Sequence, residues 1–320
     1  MTILMTGLCE KGADQIWKQC NDAMYAQGVT WLEEAAYAGD AEAWFFLGHC
    51  YSWGDGAVGF NEKKAYECYL RGASAGSARA VLGALRAGQY DEQMKQSARY
   101  SIEESYRQVR DAAEMGDVYA AWQMGEAVEW EDLADYMPQT ESAREQCLFW
   151  YERAADGGII PAMVKMGKCC QNGTYREKDE KEALRWANQC AASGEVWGLF
   201  QMGEHYRQEE DWEAAFQYDY AAAKQGSSRA MLYLGQMYLN GQGTERDIQA
   251  AVQALEGAAA RNEAESFEEL GNLFYQDELV ERDDEKAFYW YGKAYAAGIK
   301  EAALPLARLY LRPSDEQDTV

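Results

Sequence analysis

"KAFYWYGKAYAAGIKEAALPLARLY", Lys286 to Tyr310, is the stretch whose reading decides the fold. Rings and alanines crowd its first half, Gly298 and Ile299 break it, and a second apolar run follows. The same cadence stands earlier as "EALRWANQCAASGEVWGLFQMGEHY", Glu182 to Tyr206. Self-similarity of this kind is the signature of a chain built from stacked units.

Working outward, a Leu-Gly or Met-Gly pair recurs at Gly48, Gly83, Gly125, Gly167, Gly203, Gly235 and Gly271, and Leu306-Ala307 continues the series. A second marker closes the other helix of each unit: Gly39, Gly76, Gly116, Gly158, Gly194, Gly226 and Gly298, with Asn262 in the one gap. Asn is the usual substitute for Gly where a helix ends left-handed. The closing residue precedes the next marker by 9 positions in seven of eight cases, and by 7 between Gly76 and Gly83. The second helix of a unit (helix B) therefore turns tightly into the next first helix (helix A). The A-to-B connection varies in length, as expected where unit interfaces are fixed and one edge is free.

Helix B can be read back from its closing residue. Ala65, Cys147, Ala183, Ala215, Ala251 and Ala287 share one phase. Three positions on stand Trp31, Trp150, Trp186, Tyr218 and Trp290; four on stand Leu32, Tyr69, Val109, Tyr151, Leu255 and Tyr291. Seven on, the residues are small again, as at Ala154, Cys190 and Ala294. Spacings of 0, 3, 4 and 7 trace one face of an α-helix. No single unit can bury both its stripes, so neighbours must share them.

Composition agrees. Few prolines and much Ala, Glu, Gln and Leu favour helix over strand. The formal net charge of -24 argues against nucleic acid and anionic membranes as partners, since phosphate neutralisation needs cations. The N-terminus lacks the basic region and long apolar core of a signal peptide, and no 18 apolar residues run together. The eight cysteines follow no repeat phase and stop at Cys190, which suits reduced thiols and a cytoplasmic location.

The frame "AMLYLGQMYLNGQGTERDIQAAVQALEGAAARN", Ala230 to Asn262, resembles the Sel-like repeat of the tetratricopeptide superfamily. Its LGxxYxxGxG signature stands at Leu234, Gly235, Tyr238, Gly241 and Gly243. "LGHCYSWGDG", Leu47 to Gly56, matches too, and "KAFYWYGKAYAAG" matches the family's helix B. The resemblance covers roughly residues 20 to 312; the units beginning near Ala78 and Tyr119 are degenerate. It implies an all-α fold, a right-handed α-solenoid superhelix of about seven to eight stacked helix-turn-helix repeats, with helices A lining a concave groove. The expected division is N-terminal capping helices over 1–40, an array over 41–298, a capping helix over 299–312 and a flexible tail over 313–320. Units fall near 41–76, 77–116, 117–158, 159–194, 195–226, 227–262 and 263–298.

Positions opposite the buried stripe of helix A are the groove candidates: Phe46, His49, Trp53, Gln123, Glu126, Trp130, Lys165, Lys168, Gln201, Glu204, Tyr233, Gln236 and Asn272. Trp53 and Trp130 stand at one equivalent phase, and aromatic anchors are common binding hot spots.

No catalytic signature emerges. His49 and His205, the only histidines, sit in no recognised motif, and no phosphate loop or nucleophile elbow occurs. The adjacent Cys169 and Cys170, with Cys147 and Cys190 on flanking helices, lack CxxC spacing, so no metal is expected. The acidic runs "WEDLADYMPQTE", "YREKDEKE", "RQEEDWE" and "VERDDEKAFYWY" sit at A-to-B connections, where acids favour a helix N-terminus. The expectation is a non-catalytic scaffold or adaptor that holds a peptide or partner protein without a cofactor. The alternative is an acidic antagonist or immunity-type protein that blocks a basic partner surface.

Overall fold

The computed structural model describes residues 7–18, 22–54, 58–129, 143–276 and 279–311, and among them it is all-helical. Two compact bodies divide the chain, residues 1–198 and 199–320. Among the described residues eighteen α-helices pack in consecutive pairs, with one short helix set in a connection.

In the first body α1 (Gly7–Trp17) pairs with α2 (Asp22–Tyr37), and α3 (Ala41–Trp53) with α4 (Glu62–Ala75). Next, α5 (Ala78–Arg86) packs on α7 (Ile102–Glu114), and the short α6 (Glu92–Ser97) occupies the long connection between them. Then α8 (Val118–Glu129) pairs with α9 (Ala143–Asp156), and α10 (Ile160–Asn172) with α11 (Glu180–Ala192). In the second body α12 (Val196–Gln208), whose first turn holds the boundary, meets α13 (Trp212–Lys224). There α14 (Ser228–Asn240) pairs with α15 (Ile248–Ala259), and α16 (Ala264–Tyr275) with α17 (Asp284–Ala296). A 3-10 turn (Lys300–Ala302) and α18 (Ala303–Tyr310) pack on α17.

The seam within each pair follows from the sequence pattern. In most pairs helix B brings a large side chain and helix A presents a bare glycine beneath it; at Gly83 and Gly167 the ring is instead Tyr69 of the preceding α4 and Trp197 of the following α12. A Cβ added at Gly125 would stand 2.8 Å from the Tyr151 ring, and one at Gly271 2.7 Å from Tyr291. Both are closer than a real Cβ comes, so glycine is required there. The hydroxyl then ties the seam: Tyr151 donates to Glu129 at 2.7 Å, Tyr291 donates to Asn272 at 2.8 Å, and Ser52 donates to the Tyr69 oxygen at 3.2 Å. The small residues eleven before each closing residue are buried, from Ala65 to Ala287. Asn262 closes its helix at φ 60°, as the glycines do at Gly76 (φ 101°) and elsewhere.

The acidic runs have a structural role. Asp179, Asp211 and Asp283 are N-caps of α11, α13 and α17, each accepting from the backbone N–H three residues on. The run from Trp130 to Glu141 lies outside the described residues.

Candidate interaction face

Helices A carry the candidate residues in both bodies, but the two faces differ. In the first body the face is closed by rings. Trp17, at the end of α1, stands 5.1 Å from Phe46, 5.6 Å from His49 and 5.7 Å from Trp122, centroid to centroid. Phe46 lies 5.2 Å from Tyr119, and His49 lies 4.8 Å from Trp122. Thus α3 and α8 touch directly although α5, nine residues long, comes between them in sequence. Tyr119 donates to Asp14 of α1, which fixes that helix against α8.

This corrects the expectation for three residues. Phe46, His49 and Gln123 were expected to line an open groove, yet they are buried. The cause is the ring cluster: burying Trp17 and its neighbours removes more apolar surface from water than an open polar face would. Gln123 turns its Nε2 to the Arg79 carbonyl at 3.0 Å. Arg79 is itself fully buried and paired with Glu42 and Asp117. Burial, helped by the positive Arg86, pushes the His49 imidazole down to about 3, so it is neutral at physiological pH.

At the edge of this cluster His49, Trp53, Arg86, Gln123 and Glu126 line a cavity of about 20 Å³, room for one water and little else. Trp53 is 49% exposed, with the Arg86 guanidinium 5.1 Å over its ring. His49 Nε2 and Glu126 Oε2 are 4.0 Å apart. Trp130 lies outside the described residues. Further along, Lys165 is engaged with Glu129 of α8; that pairing outweighs the effect of burial and raises the Lys165 pKa. Lys168 is exposed.

In the second body the corresponding residues are half-buried and polar. Gln201 Nε2 reaches Glu204 at 3.5 Å, and Gln236 Nε2 donates to Glu269 of the next helix A at 2.9 Å. Tyr233 stacks on Phe200 at 6.1 Å and carries the Arg207 guanidinium 3.8 Å from its ring centre. Asn272 accepts the Tyr291 hydroxyl.

Arg207 exposes a departure that the helix B pattern passed over. The position held by Tyr69, Tyr151 and Tyr291 in other units is Asp219 here, fully buried against Gly203 and paired with Arg207. Its second oxygen has no hydrogen-bond partner. Burial, opposed by Arg207, pushes the Asp219 carboxyl up to about 6. Trp17 was also missed, although it stands five after Gly12 just as Trp53 stands five after Gly48. Gly12 lacks the preceding Leu or Met and so escaped the marker; its Cβ position falls 2.8 Å from Leu32, in the same seam role.

The repeat geometry has a match among known families. The Sel1 repeat model fits residues 23–40, 41–77, 118–159, 160–195, 228–262 and 268–299, more than half of the chain. The chain belongs to the Sel1 repeat family. The crystal structure of a Sel1 repeat protein from Oxalobacter formigenes is similar to it with a TM-score of 0.54 at 21% identity, over 94% of this chain and 85% of that one. A protective antigen of uropathogenic Escherichia coli displaying an SLR fold gives a TM-score of 0.56 at 20% identity, over 97% and 73%. These likenesses are of fold and are consistent with an α-solenoid. In sequence, an uncharacterised protein of Neisseria meningitidis serogroup B is 28% identical over 156 residues, 48% of this chain. The chain spans only 30% of that curated relative's length. The protein is thus a Sel1 repeat scaffold, an array commonly used as a protein-interaction module and generally non-catalytic. No helix among the described residues is long and apolar enough to cross a membrane.

Proposed function

We propose that this Sel1 repeat protein is a non-catalytic scaffold that holds a peptide or partner protein on the helix A face of residues 199–320. One observation carries the reading. Tyr233, half-exposed and held between Phe200 and Arg207, is a rigid aromatic anchor beside the polar Gln236–Glu269 pair. A pre-ordered ring surrounded by satisfied polar groups is the arrangement expected of an interface hot spot. Gln201, Glu204 and Asn272 would extend the contact. The array divisions given above and a reducing, cytoplasmic setting belong to this reading. It is supported by the seven described cysteines, which are buried and form no disulfide among the described residues.

The test is crosslinked co-purification from the native cell with the wild type and with Tyr233→Ala. A specific partner retained by the first and lost by the second supports the scaffold. Failure to recover any partner with crosslinking counts against it. The second reading, an antagonist of a basic surface, draws support from the net charge of -24. It also draws on Glu268, whose pKa is raised by burial and by Glu301, Glu269 and Glu265 nearby. That reading requires affinity to fall steeply with added salt, and a salt-insensitive complex refutes it.

A further inference from the structure

The last helix A of the second body has an open seam. In α18, Leu306-Ala307 continues the marker series, and Leu304, Ala307 and, at the helix cap, Leu311 share one face at spacings of 3 and 4. All three are exposed, the leucines to 60% and 75%. The pair of α14 and α15 shows what closes such a face elsewhere. There α14 carries Leu232, Gly235 and Leu239 at the same phases, and Leu255 of α15 stands 2.6 Å from a Cβ built on Gly235. Among the described residues no helix B follows α18. Its flank also departs from the repeat. From Ala36 to Ala259, the residue three before each closing residue is a buried alanine. The next helix A packs directly on that phase, as Gly198 of α12 does on Ala191. In α17 the phase holds Tyr295, 54% exposed, and Phe288, seven residues earlier on the same stripe, is exposed too. These rings extend the apolar surface beside α18.

We propose that the α18 face is an isologous interface at which two copies of this chain meet, each α18 closing the open seam of the other in place of a helix B. Area supports a second copy as the occupant. With Tyr310, the exposed leucines and rings offer on the order of 700 Å² of apolar surface, near the ~800 Å² per partner of a standard stable interface. Charge supports it as well. The chain carries 54 acidic against 30 basic residues, so two copies repel one another over most of their surface. Residues 288–311 hold a single acid, Glu301, which lies beside Glu268 of α16, so two copies can meet here without opposing rows of carboxylates. The pattern is also self-complementary. Antiparallel α18 helices set Leu304 of one copy against Leu311 of the other. Both Ala307 then fall within about 1 Å of the crossing point along the helix axis. Their small side chains leave room for the partner's leucines. This interface is separate from the Tyr233 face and stands or falls without it.

Sedimentation velocity on the full chain at micromolar concentration and physiological salt tests the proposal. The expected mass is twice the 36.1 kDa of one chain. Leu304→Glu/Leu311→Glu, exposed changes that leave the circular dichroism spectrum as it was, should return the single-chain mass and weaken the dimer by about 100-fold or more. Tyr233→Ala should leave the mass doubled. Ala307→Cys should link two copies by a disulfide on mild oxidation, because the two positions meet at the crossing. Tyr37→Cys, exposed on the first body, should not. A single-chain mass for the wild type, masses that climb beyond two chains with concentration, a dimer that survives both glutamates, or no link through Ala307→Cys would each overturn the assignment. So would a dimer that forms only once residues 313–320 are removed, since that segment would then be what covers the face.

Discussion

The helix A faces of the two bodies start from the same repeat and end differently. In residues 1–198 the face is a second core, with Trp17, Phe46, Tyr119 and Trp122 buried against one another. In residues 199–320 it is a half-exposed row around Tyr233 and Gln236. The repeat fixes the seam over the helix A glycine, which in most pairs meets a large side chain of helix B. It leaves the outer face of helix A to whichever residues stand there. Bulky rings on α1, α3 and α8 draw those helices together; glutamines and glutamates on α14 and α16 stay wet.

The largest expected effect comes from the ring that closes the first face. Trp17→Ala should destabilise residues 1–198 by about 3–5 kcal/mol, the usual cost of a large aromatic truncation in a core. Segment-resolved hydrogen exchange should show the loss there and unchanged protection in residues 199–320. Equal loss in both would mean that the closed face is not local.

Next is the buried pair of the second body. Arg207→Ala leaves the Asp219 carboxylate buried without its cation and should cost about 3 kcal/mol at pH 7. The double variant Arg207→Ser/Asp219→Tyr, which recreates the Ser52–Tyr69 seam, should recover most of that loss in urea denaturation. If it is no more stable than Arg207→Ala, the seam equivalence is wrong.

The same carboxyl gives a pH signature. Its folded pKa, pushed up to about 6, lies above the ordinary 3.8, so the folded state binds the proton more tightly. Asp219 then contributes stability that is full below 3.8 and lost as pH rises through about 6. Asp219→Asn should flatten the stability profile of residues 199–320 over that window relative to the wild type. The faces opposing the carboxyl bring Glu204 and Arg207 from α12.

The smallest effect belongs to the caps, which both bodies share. Asp179→Ala in the first and Asp283→Ala in the second should each cost about 1 kcal/mol in thermal melts. A cost near zero at either would return the acidic runs to a role at the surface.

How much of this was legible beforehand can be judged from particular residues. Tyr151 over Gly125 and Tyr291 over Gly271 follow from phase alone, because a 3.6-residue helix forces spacings of 4 and 7 onto one face. Asn262 could be placed in its left-handed turn for the same local reason. Phe46 and His49 were misplaced because rings of other units, Trp17 and Trp122, cover them, and Gln123 because it turns to Arg79. Asp219 was invisible as a departure because one polar residue hardly disturbs a periodic pattern.

The sequence by itself determined the helix pairs, their seams and their ends, since each depends on neighbours within a few dozen residues. Only the tertiary structure decided which helix A faces stay open. That choice turns on contacts such as Trp17 with Trp122, between units far apart in the chain, where no local period records who meets whom.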